Sequence, residues 1–278
     1  MDLGGLGVWS GELRYGDPAE AADRAAALEG LGYTALWIPD VGGPLFDAFD
    51  NLLDATATVV VASGVCNVWH HPPAEVGAWW RGLPADRRDR VMLGIGISHG
   101  PLIGDRYQAP LATMAAYLDG LDAEGVPVDR RCLAALGPRM LELARDRSSG
   151  SHPYLVTPEH TERARAVVGP DRRLFVEQGV VLETDPDAAR AVARDAVAFY
   201  LGLPNYVNNW KRVGFTDDEI QTCADRFVDA VFVWGDVDAI RARIDAHRAA
   251  GADHVCIQVL GATDATGGPM AVWEALAS

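Results

Sequence analysis

The sequence predicts an α/β protein folded as a closed (β/α)8 TIM barrel. Three observations point there. Eight short apolar runs alternate with helical patterns along 278 residues, and such alternation implies a parallel sheet with helical crossovers. Eight units in roughly 250 residues match the size of this barrel. The doubly wound open sheet is disfavoured because no GxGxxG follows the first strand; Gly4-Gly5-Leu6-Gly7 precedes it instead.

The first strand is Leu6 to Trp9. Asp17-Pro18-Ala19-Glu20 then starts a helix, with a cap, proline at the first position and glutamate three after the cap. Ala21, Ala22, Ala25 and Leu28 keep helical spacing until Gly30 and Gly32 end it. Tyr33 to Ile38 reads as the second strand and Phe46 to Thr58 as a helix. The third strand opens at Val59 in VVVASGVCNVWHHPP, where a glycine inside a strand pattern signals a bulge or a close backbone approach. Pro73 to Leu83 is helical and Val91 to Ile97 is the fourth strand. A helix follows from about Pro110 to Glu124.

Cys132 to Leu136 forms strand five, broken at Gly137-Pro138, and Arg139 to Arg147 is helical. Tyr154 to Thr157 is predicted as strand six, followed by a helix from Pro158 to Val168. Leu174 to Leu182 is strand seven, and a helix capped by Asp185 runs to about Leu201. Residues 202–235 break the pattern and read as a helical insertion before the last strand, with a capping box from Thr216 to Glu219. A helix from Asp236, strand eight from His254 to Leu260 and a helix from Gly268 to Ala277 complete the chain, taken as one domain over residues 1–278.

Composition narrows the function. The chain is 49% hydrophobic and 23% charged, enough for a substantial core. A net charge of −15 without a basic stripe argues against nucleic acid. Lys211 is the only lysine, so a phosphate ligand would depend on backbone amides and a few arginines. Cys66, Cys132, Cys223 and Cys256 show no zinc spacing and are expected to be buried and reduced, as in a cytoplasmic protein. No leader or membrane span is expected.

A barrel places its chemistry at the carboxyl ends of the strands. Those ends carry Trp9 and Ser10, Asp40, Gly64 to His71, Ser98 and His99, Gly137, Thr157, Gln178 and Gly261. Asp40 is either a turn cap or a catalytic carboxylate. His99 follows GIGIS, as a loop histidine or a reactive one. Gly94 and Gly96 either admit a flat ligand or fit the barrel taper. Gly137-Pro138 either presents free amides to an anion at a helix start or is a plain turn. His70 and His71, in extended chain, would face opposite ways, so no metal site is expected.

Together, SGVCNVWHHPP, LGIGISHGPL, AALGPRMLELA and AGADHVCIQVL resemble the luciferase-like flavin and deazaflavin oxidoreductase superfamily, in particular its coenzyme F420-dependent branch with actinobacterial members. The resemblance covers essentially the whole chain. It implies a cis peptide at Gly64-Val65, within a bulge of Ser63, Gly64, Val65, Cys66 and Asn67 that supports a tricyclic ring, with Trp9 and Ser98 beside it. It implies that Asp40 lies near the ring's reactive edge and that His99 stands where a glutamate is often found. Leu136 and Gly137 would hold the phosphate through their amides, and Thr157, His160, Thr161 and Arg163 would contact the cofactor tail. The function implied is hydride transfer between F420 and a small organic substrate. Asp40 and His99 would be the acid/base groups, with His70 and Trp69 at the pocket wall. An FMN-dependent monooxygenase and a non-catalytic ligand-binding barrel are the alternatives. A homodimer is expected, and residues 202–235 would be a lid, an interface or packing for the outer helices.

Overall fold

A computed structural model describes residues 3–263, 265 and 267–277. Eight parallel strands form the barrel: β1 Leu6–Trp9, β2 Ala35–Ile38, β3 Val60–Ser63, β4 Val91–Gly96, β5 Arg131–Leu133, β6 Gly150–Ser151, β7 Arg173–Val181 and β8 His254–Val259. Each pairs with the next, and β8 pairs with both β7 and β1, which closes the cylinder. Two-residue segments add to it: Cys66–Asn67 pairs with β4 beyond the bulge, and Val233–Trp234 pairs with the end of β7.

The barrel interior is a small cluster of strand residues, including Ala35, Trp37, Val60, Ala62, Met92, Cys132, Phe175 and Cys256, joined by Leu3 from the N-terminal segment. Every second strand residue points inward, so a continuous apolar run fills the barrel on one face and meets the helices on the other. The larger core between strands and helices includes Leu36, Phe49, Val61, Leu93, Leu118, Leu174 and Ile257. No helix among the described residues is long and apolar enough to cross a membrane.

Most helices fall where capping chemistry puts them. Asp17, Asp185 and Asp236 each accept backbone N–H bonds at a helix start, and proline opens the helices Pro18–Gly30 and Pro186–Ala198. The insertion contains helices Pro204–Arg212, Asp217–Gln221 and Asp225–Val231, and the capping box between Thr216 and Glu219 is formed. Their apolar faces build a second core around Trp210, Phe215, Phe227 and Phe232, which also takes in Leu155 and Val197.

Strand six departs from the expectation. It is Gly150–Ser151, not Tyr154 to Thr157. A Cβ on Gly150 would overlap the Arg173 backbone, so the small polar stretch is what lets β6 approach β7. The aromatic and β-branched residues after it form a loop instead, with Leu155 at φ +54°.

Candidate active site

The site begins with the bulge. After β3 the chain adopts a cis peptide at Gly64–Val65, as expected. Gly64 N–H donates to the Ile38 carbonyl at 2.8 Å, and the Trp9 indole donates to the Gly64 carbonyl at 3.1 Å. A Cβ on Gly64 would lie 2.5 Å from Trp9 Nε1 and 3.0 Å from His152 Nε2, so only glycine fits. Ser63 is fully buried and its hydroxyl donates to the Gly94 carbonyl at 2.9 Å. Gly94 and Gly96 serve a need that neither of their two readings named: Cβ atoms on them would overlap the Ser63 carbonyl oxygen and the Val65 side chain. They make room for the bulge rather than for the barrel's general taper. Cys66 turns its thiol into the core, where burial raises its pKa, so only its backbone remains near the bulge.

Asp40 sits at the end of β2 with its side chain wholly buried. Its carboxylate accepts from Asn67 N–H at 2.9 Å and Gly42 N–H at 3.3 Å. Burial alone would raise its pKa, but His71, Asn67 and Gly42 outweigh burial and hold it below the usual carboxylate range. The histidine pair corrects the sequence expectation. His70 Nδ1 lies 3.8 Å and His71 Nε2 3.3 Å from the same Asp40 oxygen. The chain is not extended there: the N–H groups of His70 and His71 both donate to the Asn67 carbonyl, and this turn brings both rings to one carboxylate. The His71 approach is an ion pair without hydrogen-bond alignment, since its Nε2 has no aligned partner. Asp40 raises the His71 pKa, burial opposes this, and Glu75, 2.8 Å from Nδ1, adds to the rise. His70 is the more open of the two, with 39% of its side chain exposed. Trp69 is fixed nearby, its indole donating to the Ile97 carbonyl at 2.7 Å.

Ser98 and His99 follow β4, Ser98 at φ +59°. His99 Nδ1 is 3.2 Å from Asn205 Oδ1, and its ring lies 5.5 Å from that of Tyr206. Burial lowers the His99 pKa, with Asn205 opposing. Both partners come from the insertion helix Pro204–Arg212. The same helix places the Arg212 guanidinium beside Gly137 and sends the Trp210 indole to the Leu155 carbonyl at 3.0 Å. The insertion thus meets the strand ends at His99 and Gly137 through the helix Pro204–Arg212, while its helix Asp225–Val231 packs on the outer helix Pro186–Ala198 through Ala193 and Val197 and the Arg190–Asp229 ion pair at 2.7 Å.

Gly137 heads the helix Pro138–Arg147 in extended conformation, with no side chain capping the first turn. The Leu136–Gly137 turn and Arg212 thus offer free amides and a cation together. Thr157 caps the next helix, where its hydroxyl oxygen accepts from His160 N–H. His160 is buried, which lowers its pKa to about 4; its Nε2 and the neighbouring Asn209 Nδ2 have no hydrogen-bond partner among the described residues. Arg163 donates to the Arg212 carbonyl. Thr161 is not brought to the site. Its hydroxyl pairs with His247 Nδ1 at 2.9 Å, and His247 Nε2 meets Gln178 Oε1 at 2.9 Å, so Thr161 and Gln178 form a buried strut under the barrel wall.

Sequence reading missed the floor of the mouth. His152 is buried, stacks on Trp37 with ring centroids 4.2 Å apart, and donates from Nδ1–H to the Phe175 carbonyl at 2.7 Å. Tyr154 OH donates to Gln258 Oε1 at 2.8 Å, and its ring lies 5.5 Å from Trp9. Glu177 is wholly buried on β7; burial raises its pKa to about 8, against a hydrogen bond from Leu155 N–H. A polar residue at an inward position of a strand was the available signal, visible only once the register of β6 and β7 is known. A cavity of about 470 Å³ opens to one side of Trp9, between β1, β8 and the C-terminal helix, rather than over the bulge itself.

No protein-family model matches the chain, and no curated protein sequence does. Solved structures do. An F420-dependent secondary alcohol dehydrogenase in complex with an F420–acetone adduct is 15% identical, over 93% of this chain and 94% of that one, with a TM-score of 0.71. The coenzyme F420-dependent tetrahydromethanopterin reductase from Methanopyrus kandleri is 16% identical, over 93% of each chain, at 0.73. The oxygenating constituent of 3,6-diketocamphane monooxygenase from Pseudomonas putida, in complex with FMN, is 15% identical, over 99% and 96%, at 0.68. The fold is thus the (β/α)8 barrel that these solved structures share.

Proposed function

We propose that this protein is an oxidoreductase that uses coenzyme F420 to transfer a hydride to or from a small organic substrate. The observation that carries the reading is the Gly64 bulge, packed too closely on Trp9 and His152 to admit a Cβ, set beside the Asp40–His70–His71 cluster. The residues suit a cofactor with a flat ring and a phosphate. The bulge leaves no Cβ at Gly64, and Trp9 pins its carbonyl. The amides at Leu136 and Gly137, with Arg212 beside them, suit the phosphate, and the unpaired His160 Nε2 and Asn209 Nδ2 lie in the same region.

When bound, the cofactor supplies the hydride chemistry; the protein positions it and manages protons. Asp40 is held anionic, so it stabilises a charged imidazole rather than donating a proton itself. His70, half-open and 3.8 Å from Asp40, is the group placed to exchange a proton with substrate. His99, kept neutral by burial, orients the substrate's polar group while Asn205 fixes its ring. The insertion helix Pro204–Arg212 excludes water from the strand ends.

Titration of the purified protein with F420 and FMN tests this. F420 is expected to bind and FMN to bind far more weakly. Arg212→Ala should weaken F420 binding about tenfold, the loss of one charge-assisted contact. Tight FMN binding without F420 binding would establish the flavin monooxygenase instead, the reading that the FMN-bound neighbour supports. Binding of neither would leave a ligand-binding barrel.

A further inference from the structure

The proposed chemistry leaves one buried acid unused. Glu177, on β7, is wholly buried. Its Oε2 accepts the Leu155 N–H at 3.1 Å, while Oε1 has no hydrogen-bond partner among the described residues. The groups that feel its charge are Tyr154 from the loop after β6, Tyr200 at the entrance to the insertion, Tyr206 on its first helix, and Cys256 from β8. None of them is a cation. A carboxylate there would be an uncompensated buried charge, so the neutral acid is the form that fits.

Leu155 joins this acid to the insertion. It holds φ +54°, a left-handed backbone that leucine keeps only where its surroundings fix it. Its N–H goes to Glu177, and its carbonyl accepts the Trp210 indole N–H at 3.0 Å. The Glu177 N–H also donates to the Pro153 carbonyl at 3.1 Å, which ties the same loop to β7. Trp210 is fully buried and lies on the helix Pro204–Arg212, which carries Asn205 to His99 and Arg212 to Gly137. One residue thus connects a barrel acid to the helix that meets the strand ends.

We propose that Glu177 is a positioning residue: through Leu155 it holds the helix Pro204–Arg212 against the strand ends. The helix seats Asn205 and Arg212, which the redox reading uses, but the latch does not depend on that reading. The carboxyl serves as the latch while it keeps its proton, and burial raises its pKa to about 8. Opening of the helix that lets water reach Glu177 restores an ordinary carboxyl and releases the proton. Such opening becomes easier as pH rises from ~4 to about 8, and levels off above that. Burial raises the pKa values of the three tyrosines and Cys256 too, so none of them titrates in this range.

The sequence supplies the assay. Lys211 is the only lysine and sits on the helix in question, so a lysine-specific endoproteinase cuts the folded chain only where this helix opens. The full chain without cofactor is digested at about pH 7 and about pH 9, and each rate is divided by that of an unstructured lysine peptide. The native protein should be cut about tenfold faster at the higher pH, the factor given across this range by a carboxyl shifted from ~4 to about 8. Glu177→Gln keeps the shape of the neutral acid and has no proton to lose, so its normalised rate should not change. Trp210→Phe breaks the link at its other end and should be cut several-fold to about tenfold faster than native at about pH 7; it serves where Glu177→Gln does not fold. Cutting should respond only weakly to urea below the unfolding transition, as local opening does. A native rate that ignores pH, the same rise in Glu177→Gln, a native rate in Trp210→Phe, or the steep urea response of global unfolding would each overturn the proposal.

Discussion

Replacing Asp40 with asparagine tests the pair at the heart of the site. Asparagine keeps the shape and can still accept from Asn67 N–H, at 2.9 Å in the native protein, but it removes the charge facing His71 at 3.3 Å. Removing one partner of a buried ion pair costs about 3–5 kcal/mol, so a loss of about 3 kcal/mol is expected where both partners are ionised. The pH window follows from the two shifts. Asp40 is lowered, so its contribution is present above the ordinary carboxyl range near ~4 and is lost as pH falls through its depressed value. His71 is raised, so its contribution is complete below ~6.5 and is lost as pH rises through its raised value. Both hold between those limits. Urea unfolding followed by tryptophan fluorescence, at about pH 5.5 and about pH 9, should therefore show the larger Asp40→Asn deficit in acid. An equal deficit at both pH values, or a native midpoint at both, would refute the ion-pair account.

Gly94→Ala forces a methyl group into the Ser63 carbonyl oxygen, which is backbone and cannot swing aside. A cost of about 2–4 kcal/mol is expected, lowering Tm by roughly 5–10 °C in calorimetry; a change under about 2 °C would show that the bulge does not depend on this glycine. His99→Ala should lower turnover about 10²–10⁴-fold while cofactor affinity is retained. Steady-state rates beside a binding titration measure this, and native turnover would show that His99 does not orient the substrate.

The barrel itself was readable from local signals. Apolar runs such as Val91 to Ile97, and caps such as Asp17, Asp185 and Asp236, act over a few residues, and their order leaves few topologies open. The bulge was legible through Gly64 and the proline pair that follows it, because glycine within a strand has few other uses. Strand six was not, because Gly150 earns its place only by the nearness of the Arg173 backbone.

The site divides the same way. Asp40, His70 and His99 stand at strand ends that periodicity locates, so their nomination needed no coordinates. Their roles did. A turn hydrogen-bonded to the Asn67 carbonyl sets both histidines on one carboxylate, where an extended chain would have parted them. Thr161 points to His247, 86 residues away, and His99 meets Asn205 across 106. Sequence alone determines which residues are available at the barrel mouth, since strand and helix periods are local. Which of them touch, which lose their water and which keep a proton is decided by tertiary packing, because desolvation and charge pairing depend on neighbours that the chain brings from far away.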